Sequence, residues 1–137
     1  MHMMSEINRI LRPGGSLVLT TPNITSSRAI AAAMLGYHPG FFPAYIRPSE
    51  DGAATDARHN REYSPREVAR LLIDSGFEVT LLETGPFRDE PKPQLAWVER
   101  LLERYMLETE LRGDGIYAVG RKTGPVRERY PDWLYQQ

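Results

Sequence analysis

The chain has 137 residues, a net charge of −1 from seventeen basic and eighteen acidic side chains, 41% hydrophobic residues and no cysteine. This balance suits one modest globular domain and gives no argument for a nucleic-acid or acidic-membrane partner. Without cysteine there are no disulfides, no thiolate catalysis and no cysteine zinc sites. No apolar run approaches the ~20 residues of a membrane span, and the opening MHMMSEINRI lacks the basic-then-apolar order of a signal peptide, so a cytoplasmic location is expected.

Met3, Met4, Ile7 and Leu11 recur at helical spacing, with Ile10 widening the face, which predicts a helix over residues 3–11. Pro13, Gly14 and Gly15 end it. The next six residues, SLVLTT at 16–21, place Leu17 and Leu19 on one side and Val18 on the other. Apolar residues on both faces predict a strand covered on both sides, as in parallel sheets, with Pro22 as its stop. Ser26 or Ser27 is placed to cap a short helix running to Gly36. After it comes a long segment of rings, prolines and polar residues up to residue 60.

Ser64, Pro65 and Glu67 then spell a capped helix start with a reciprocal capping box. Val68, Leu71 and Leu72 give that helix its stripe, and Gly76 its stop. FEVTLLET, 77–84, reads as a strand with Phe77, Val79 and Leu81 on one side and Leu82 crossing over late. Apolar residues from 95 to 106 predict an amphipathic helix over roughly 93–110. Gly113, Asp114 and Gly115 turn the chain into a last strand, 115–122. The tail, 126–137, is polar with a Trp-Leu-Tyr cluster placed to dock on the body.

Three segments, EINRILRPGGSLVLTTPN, RHNREYSPREVARLLIDSGFEV and GDGIYAVGRK, follow one another in an order that resembles the C-terminal half of class I S-adenosylmethionine-dependent methyltransferases, of the type 11/23-like kind. The resemblance implies an α/β fold holding part of a Rossmann-like methyltransferase sheet. Residues 16–21, 77–84 and 115–122 would be its fifth, sixth and seventh strands, lying in the order five, seven, six with the seventh antiparallel. Residues 1–125 would form the domain part, with a substrate-side insertion at 24–62 and a helical insertion at 88–112. It further implies methyl transfer to a hydroxyl of a sugar, glycan or other small acceptor, with S-adenosylmethionine as cofactor. The family's first four strands, with its glycine-rich turn, are not in this sequence, so the chain alone is expected to be inactive. Gly14 and Gly15 precede a strand, whereas a dinucleotide-type glycine loop follows one. The alternative is a non-catalytic methyltransferase-like interaction or dimerisation module.

Candidate site residues follow from the same mapping. Thr21 and Asn23 would line the crevice at the carboxyl edge of the sheet. Asn23 after Pro22 equally suits a turn that bonds its own backbone. His59 is the candidate general base, its ordinary pKa of ~6.5 suiting the role, or else a solvated histidine. Arg58 and Arg61 would hold an anionic substrate group, or with Glu62 form a charged face. Tyr63 is a substrate contact or a staple residue packing on the following helix. Tyr37, Phe41, Phe42 and Tyr45 would form a substrate lid or a satellite core. His2 and His38 have no ligand-spaced partners, and no metal site is expected. A middle strand at the front of the chain has one bare edge, which predicts a homodimer through residues 16–21, unless a missing N-terminal half or residues 24–60 cover it.

Overall fold

The structure, a computed structural model, describes residues 1–41, 61–86 and 93–135. The first helix, α1 (His2–Ile10), buries Met4 and Asn8. Gly14, at φ 77°, helps turn the chain into β1 (Ser16–Pro22). The Lys122 ammonium donates to the carbonyl oxygens of Asn8 and Leu11, putting a cation at the end of α1 where the helix dipole favours one. Ser26 caps α2 (Ser27–Met34) by accepting from the Ala29 amide.

The helix α3 (Pro65–Asp74) has the full capping box: the Ser64 hydroxyl accepts from the Glu67 amide and the Glu67 carboxylate accepts from the Ser64 amide. Gly76 ends it at φ 85°, and a Cβ there would lie 2.3 Å from the Pro125 carbonyl oxygen, so only glycine fits. Then come β2 (Phe77–Gly85), a 3-10 turn (Pro93–Leu95), α4 (Ala96–Arg104) and β3 (Gly115–Lys122).

The three strands form one open sheet in the order β1-β3-β2, with β3 antiparallel to both neighbours. β1 and β2 therefore run parallel to one another with the last strand between them. This α/β arrangement has the order and directions expected of segments 16–21, 115–122 and 77–84. The main core lies on one face of the sheet, where Met4 of α1 and Val68, Leu71 and Leu72 of α3 meet Phe77, Ile116 and Ala118. Leu17, Leu19, Val79 and Leu82 pack against that cluster.

Four expectations are corrected. Among the described residues β1 is covered on one face only: α1 and α3 both fold back over the same side, and Val18 on the other side is 70% exposed. Val18, Val119 and Leu81 lie in register there, an apolar row across the open face. Leu81 does not share a side with Phe77 and Val79, because a register shift between Val79 and Leu81 inserts Thr80 as an extra residue. Leu82 takes the core-facing place, and Leu81 is 41% exposed. The strand runs one residue past the expected 16–21, because Pro22 is its last paired residue, opposite Gly115. Finally, the helix expected over 93–110 ends at Arg104. Met106 takes a left-handed φ of 52°, its amide donates to the Glu103 carbonyl and the Leu107 amide reaches back to Leu102, the hydrogen-bond pattern of a Schellman stop.

A second, smaller cluster joins the two regions expected as insertions. Ala31 and Ile30 of α2 pack with Val98, Leu102 and Trp97 of α4 and with Leu95 of the preceding turn.

 Leu95 closes the 3-10 turn, and its side chain seats α4 against α2. The tail docks on the main core: Trp133 and Leu134 pack against it, the Trp133 indole N–H donates to Asp74, and the Arg70 guanidinium sits 5.3 Å from the Trp133 ring centre. Among the described residues no helix is long and apolar enough to cross a membrane.

Candidate functional site

Where β1 ends, three parts of the chain meet: the turn after Pro22, the segment entering α3, and the loop entering β3. Asn23 is the centre of this junction and is fully buried. Its side-chain amide donates to the carbonyl oxygens of Leu111 (2.9 Å) and Gly113 (2.8 Å). Its side-chain oxygen accepts from the Thr25 amide (2.9 Å) and the Thr25 hydroxyl (2.8 Å). Two donors and two acceptor positions are all an asparagine side chain has, so none is left for a substrate. The bond to the Thr25 amide is the turn that the sequence offered as the alternative reading. The backbone of Asn23 is engaged as well: its amide donates to Asp114, and Asn23 forms a parallel bridge with Tyr63.

Tyr63 packs against the core cluster that contains Val68, the staple arrangement for a residue preceding the helix cap. Burial pushes its phenol pKa up, only partly opposed by the Arg61 charge. Arg61 lies 5.6 Å from the Tyr63 ring centre and pairs with Glu67. Burial raises the Glu67 pKa, but its hydrogen bonds from the Ser64 amide, Arg61 and the Ser64 side chain outweigh this, and the net shift is downward. Arg61, Tyr63 and Glu67 thus form one stacked group at the start of α3, and Thr21, half-buried, lies two residues before Asn23 on β1. Arg58 and His59 lie outside the described residues, as do Phe42 and Tyr45.

Phe41, one of the rings expected to form a lid or a satellite core, is held at both its backbone and its ring. Its amide donates to the Glu62 carboxylate, and the Arg28 guanidinium lies 5.3 Å from its ring centre. His38 accepts from the Gly40 amide at 3.0 Å. Arg28 also pairs with Asp114 at 3.5 Å, so α2 is tied to the entry of β3. Arg112 adds a second tie by donating to the Thr25 carbonyl at 2.9 Å. Neither arginine was marked by the sequence, because their partners are distant in the chain and no local pattern identifies them.

A cavity of about 350 Å³ opens beside the junction, with Thr25, Ser64, Arg66, Glu108 and Arg112 among its walls. Arg66 pairs with Glu108 across it, so its charge is internally balanced. A larger groove of about 470 Å³ runs along β1, between Met3, Met4 and Ile7 of α1 and Tyr63, Val68 and Leu71. Among the described residues no group of three or more histidine, aspartate or glutamate side chains is placed to hold a metal ion. Compared with known proteins, the sequence matches no family model and no curated protein.

Proposed function

We propose that the chain is the C-terminal part of a class I S-adenosylmethionine-dependent methyltransferase domain, a family that transfers methyl groups, here to a hydroxyl of a sugar, glycan or other small acceptor. The observation that carries this reading is the sheet order β1-β3-β2 with the last strand antiparallel between two parallel ones. The three sequence segments contain β1, β3 and the start of β2, with the end of α1 and the whole of α3 ahead of two of them. The carboxyl end of β1, with Thr21, Arg61 and Tyr63 nearby and Arg58 and His59 in the adjoining segment, is the acceptor side in this reading.

The residues present do not fit the cofactor. The Gly14 amide donates to the Lys122 carbonyl and the Gly15 amide to that of Arg12, so this glycine pair has no free amides to offer a ligand. It also stands before β1 rather than between a strand and a helix. On this reading the chain alone neither binds the cofactor nor turns over. A second reading, a non-catalytic methyltransferase-like interaction module, is favoured by the outer edge of β1, which no other strand pairs among the described residues.

Calorimetric titration with S-adenosylmethionine tests both. The 137-residue chain is expected to give no binding heat, and micromolar binding would overturn its proposed incompetence. The same titration on the chain extended by any coding sequence found ahead of Met1 separates the readings. Binding by an extension containing a strand, glycine-rich turn and helix supports the enzyme. Failure of such an extended chain to bind leaves the interaction module.

A further inference from the structure

Among the described residues the two outer strands of the sheet each have one edge that no other strand pairs, and they treat these edges differently. β2 carries Glu78, Glu83 and the irregularity at Thr80, devices that discourage strand pairing. β1, Ser-Leu-Val-Leu-Thr-Thr-Pro, has no charge and unbroken register with β3 over all seven residues. The Lys122 amide bonds the Gly15 carbonyl, and the Asn23 amide bonds Asp114. Antiparallel pairs alternate between bonded and unbonded positions, so odd-numbered residues of β1 bond to β3. Ser16, Val18 and Thr20 then turn their backbone donors and acceptors outward. Pro22 falls on the same outward set, which explains how a proline ends this strand without costing the sheet a bond.

We infer that a second copy of this chain pairs with that edge, antiparallel, about a two-fold axis through Val18. In this register Ser16 faces Thr20 of the second copy, Val18 faces Val18, and Thr20 faces Ser16. It is the alignment that satisfies all three outward-facing residues on both chains, giving six strands in one sheet. The groove beside the edge is apolar, lined by Met3, Met4, Ile7, Leu17, Leu19 and Leu71 among others. The core-facing side of an incoming β1 supplies Leu17 and Leu19, which suit such a groove. The other described strands are poorer occupants, since β2 brings Glu78 and Glu83 and β3 brings Arg121 and Lys122. The axis also sets the two α1 helices on one face of the joined sheet, each with Met3 and Ile10 exposed for contact. The pairing does not depend on the methyltransferase reading.

Sedimentation of the full chain at micromolar concentration is expected to give twice the 15.6 kDa of one copy. Val18→Lys places two like charges at the axis and is expected to give a folded monomer by circular dichroism. Thr20→Pro removes an outward donor while leaving the bonds to β3, and is expected to weaken the dimer as well. Because the chain has no cysteine, Val18→Cys labelled with pyrene reports the axis directly, by excimer emission that disappears on dilution. A monomeric parent chain would overturn the inference. A dimer that survives Val18→Lys, or one without the excimer, would also overturn it.

Discussion

Asn23 uses its whole hydrogen-bonding capacity to hold three segments together, and a residue so engaged is a structural anchor before it is anything else. Removing its side chain leaves the carbonyls of Leu111 and Gly113 without their donor and frees Thr25 from its turn. A buried polar group that loses its partner costs roughly 1–3 kcal/mol. Asn23→Ala is therefore expected to destabilise the protein by about 3 kcal/mol, since two such groups are affected. Urea unfolding checks this, through a lower midpoint at unchanged slope. A loss below about 0.5 kcal/mol, the level of an ordinary surface substitution, would mean that water replaces the bonds and that the side chain remains available to a ligand. The sequence offered both roles for Asn23, because Pro-Asn after a strand is compatible with either. What decided between them was the loop at 111–113, some ninety residues away and invisible to any local pattern.

At the scale of elements, legibility followed the range of the determining interaction. The start and stop of α3 were readable because the capping box and Gly76 act within a few residues. Leu81 was not, since the irregularity at Thr80 is defined only by the pairing of β2 with β3. Helix α4 shows the same limit at its end: the apolar periodicity runs on, while Met106 turns left-handed and stops it. Met106 is 94% exposed, so its side chain contributes little packing, and a left-handed backbone is unfavourable for any residue with a Cβ by roughly 1–2 kcal/mol. Met106→Gly is expected to raise stability by about 0.5–1 kcal/mol, the gain being reduced by the added freedom of the unfolded chain. A rise in the thermal midpoint without a change in helix content is the confirming measurement. A fall would mean that the left-handed turn is held by contacts of the methionine itself.

At the scale of the molecule the described residues form two apolar clusters of unequal size, and each contains one of the two tryptophans. Trp97 belongs to the pair α2 and α4, and Trp133 to the main core on the sheet. The smaller cluster rests on three buried residues, Ala31, Val98 and Leu102, too few to stabilise two short helices by themselves. Its stability must come from the ties to the sheet: Arg112 to Thr25, Arg28 to Asp114, and the Asn23 junction. The dependence should then run one way. Leu72→Ala, a cavity in the main core that costs about 2–5 kcal/mol, is expected to lower the unfolding midpoint seen by both tryptophans. Val98→Ala is expected to lower the transition seen by Trp97 while leaving that of Trp133 nearly in place. Single-tryptophan variants, Trp97→Phe and Trp133→Phe, allow each signal to be followed alone. If Val98→Ala moved both transitions equally, the molecule would be one cooperative unit and the smaller cluster as much a part of its core as the sheet. If Leu72→Ala spared the Trp97 signal, the two helices would be stable without the sheet, and the ties through Asn23, Arg28 and Arg112 would carry no folding energy between them.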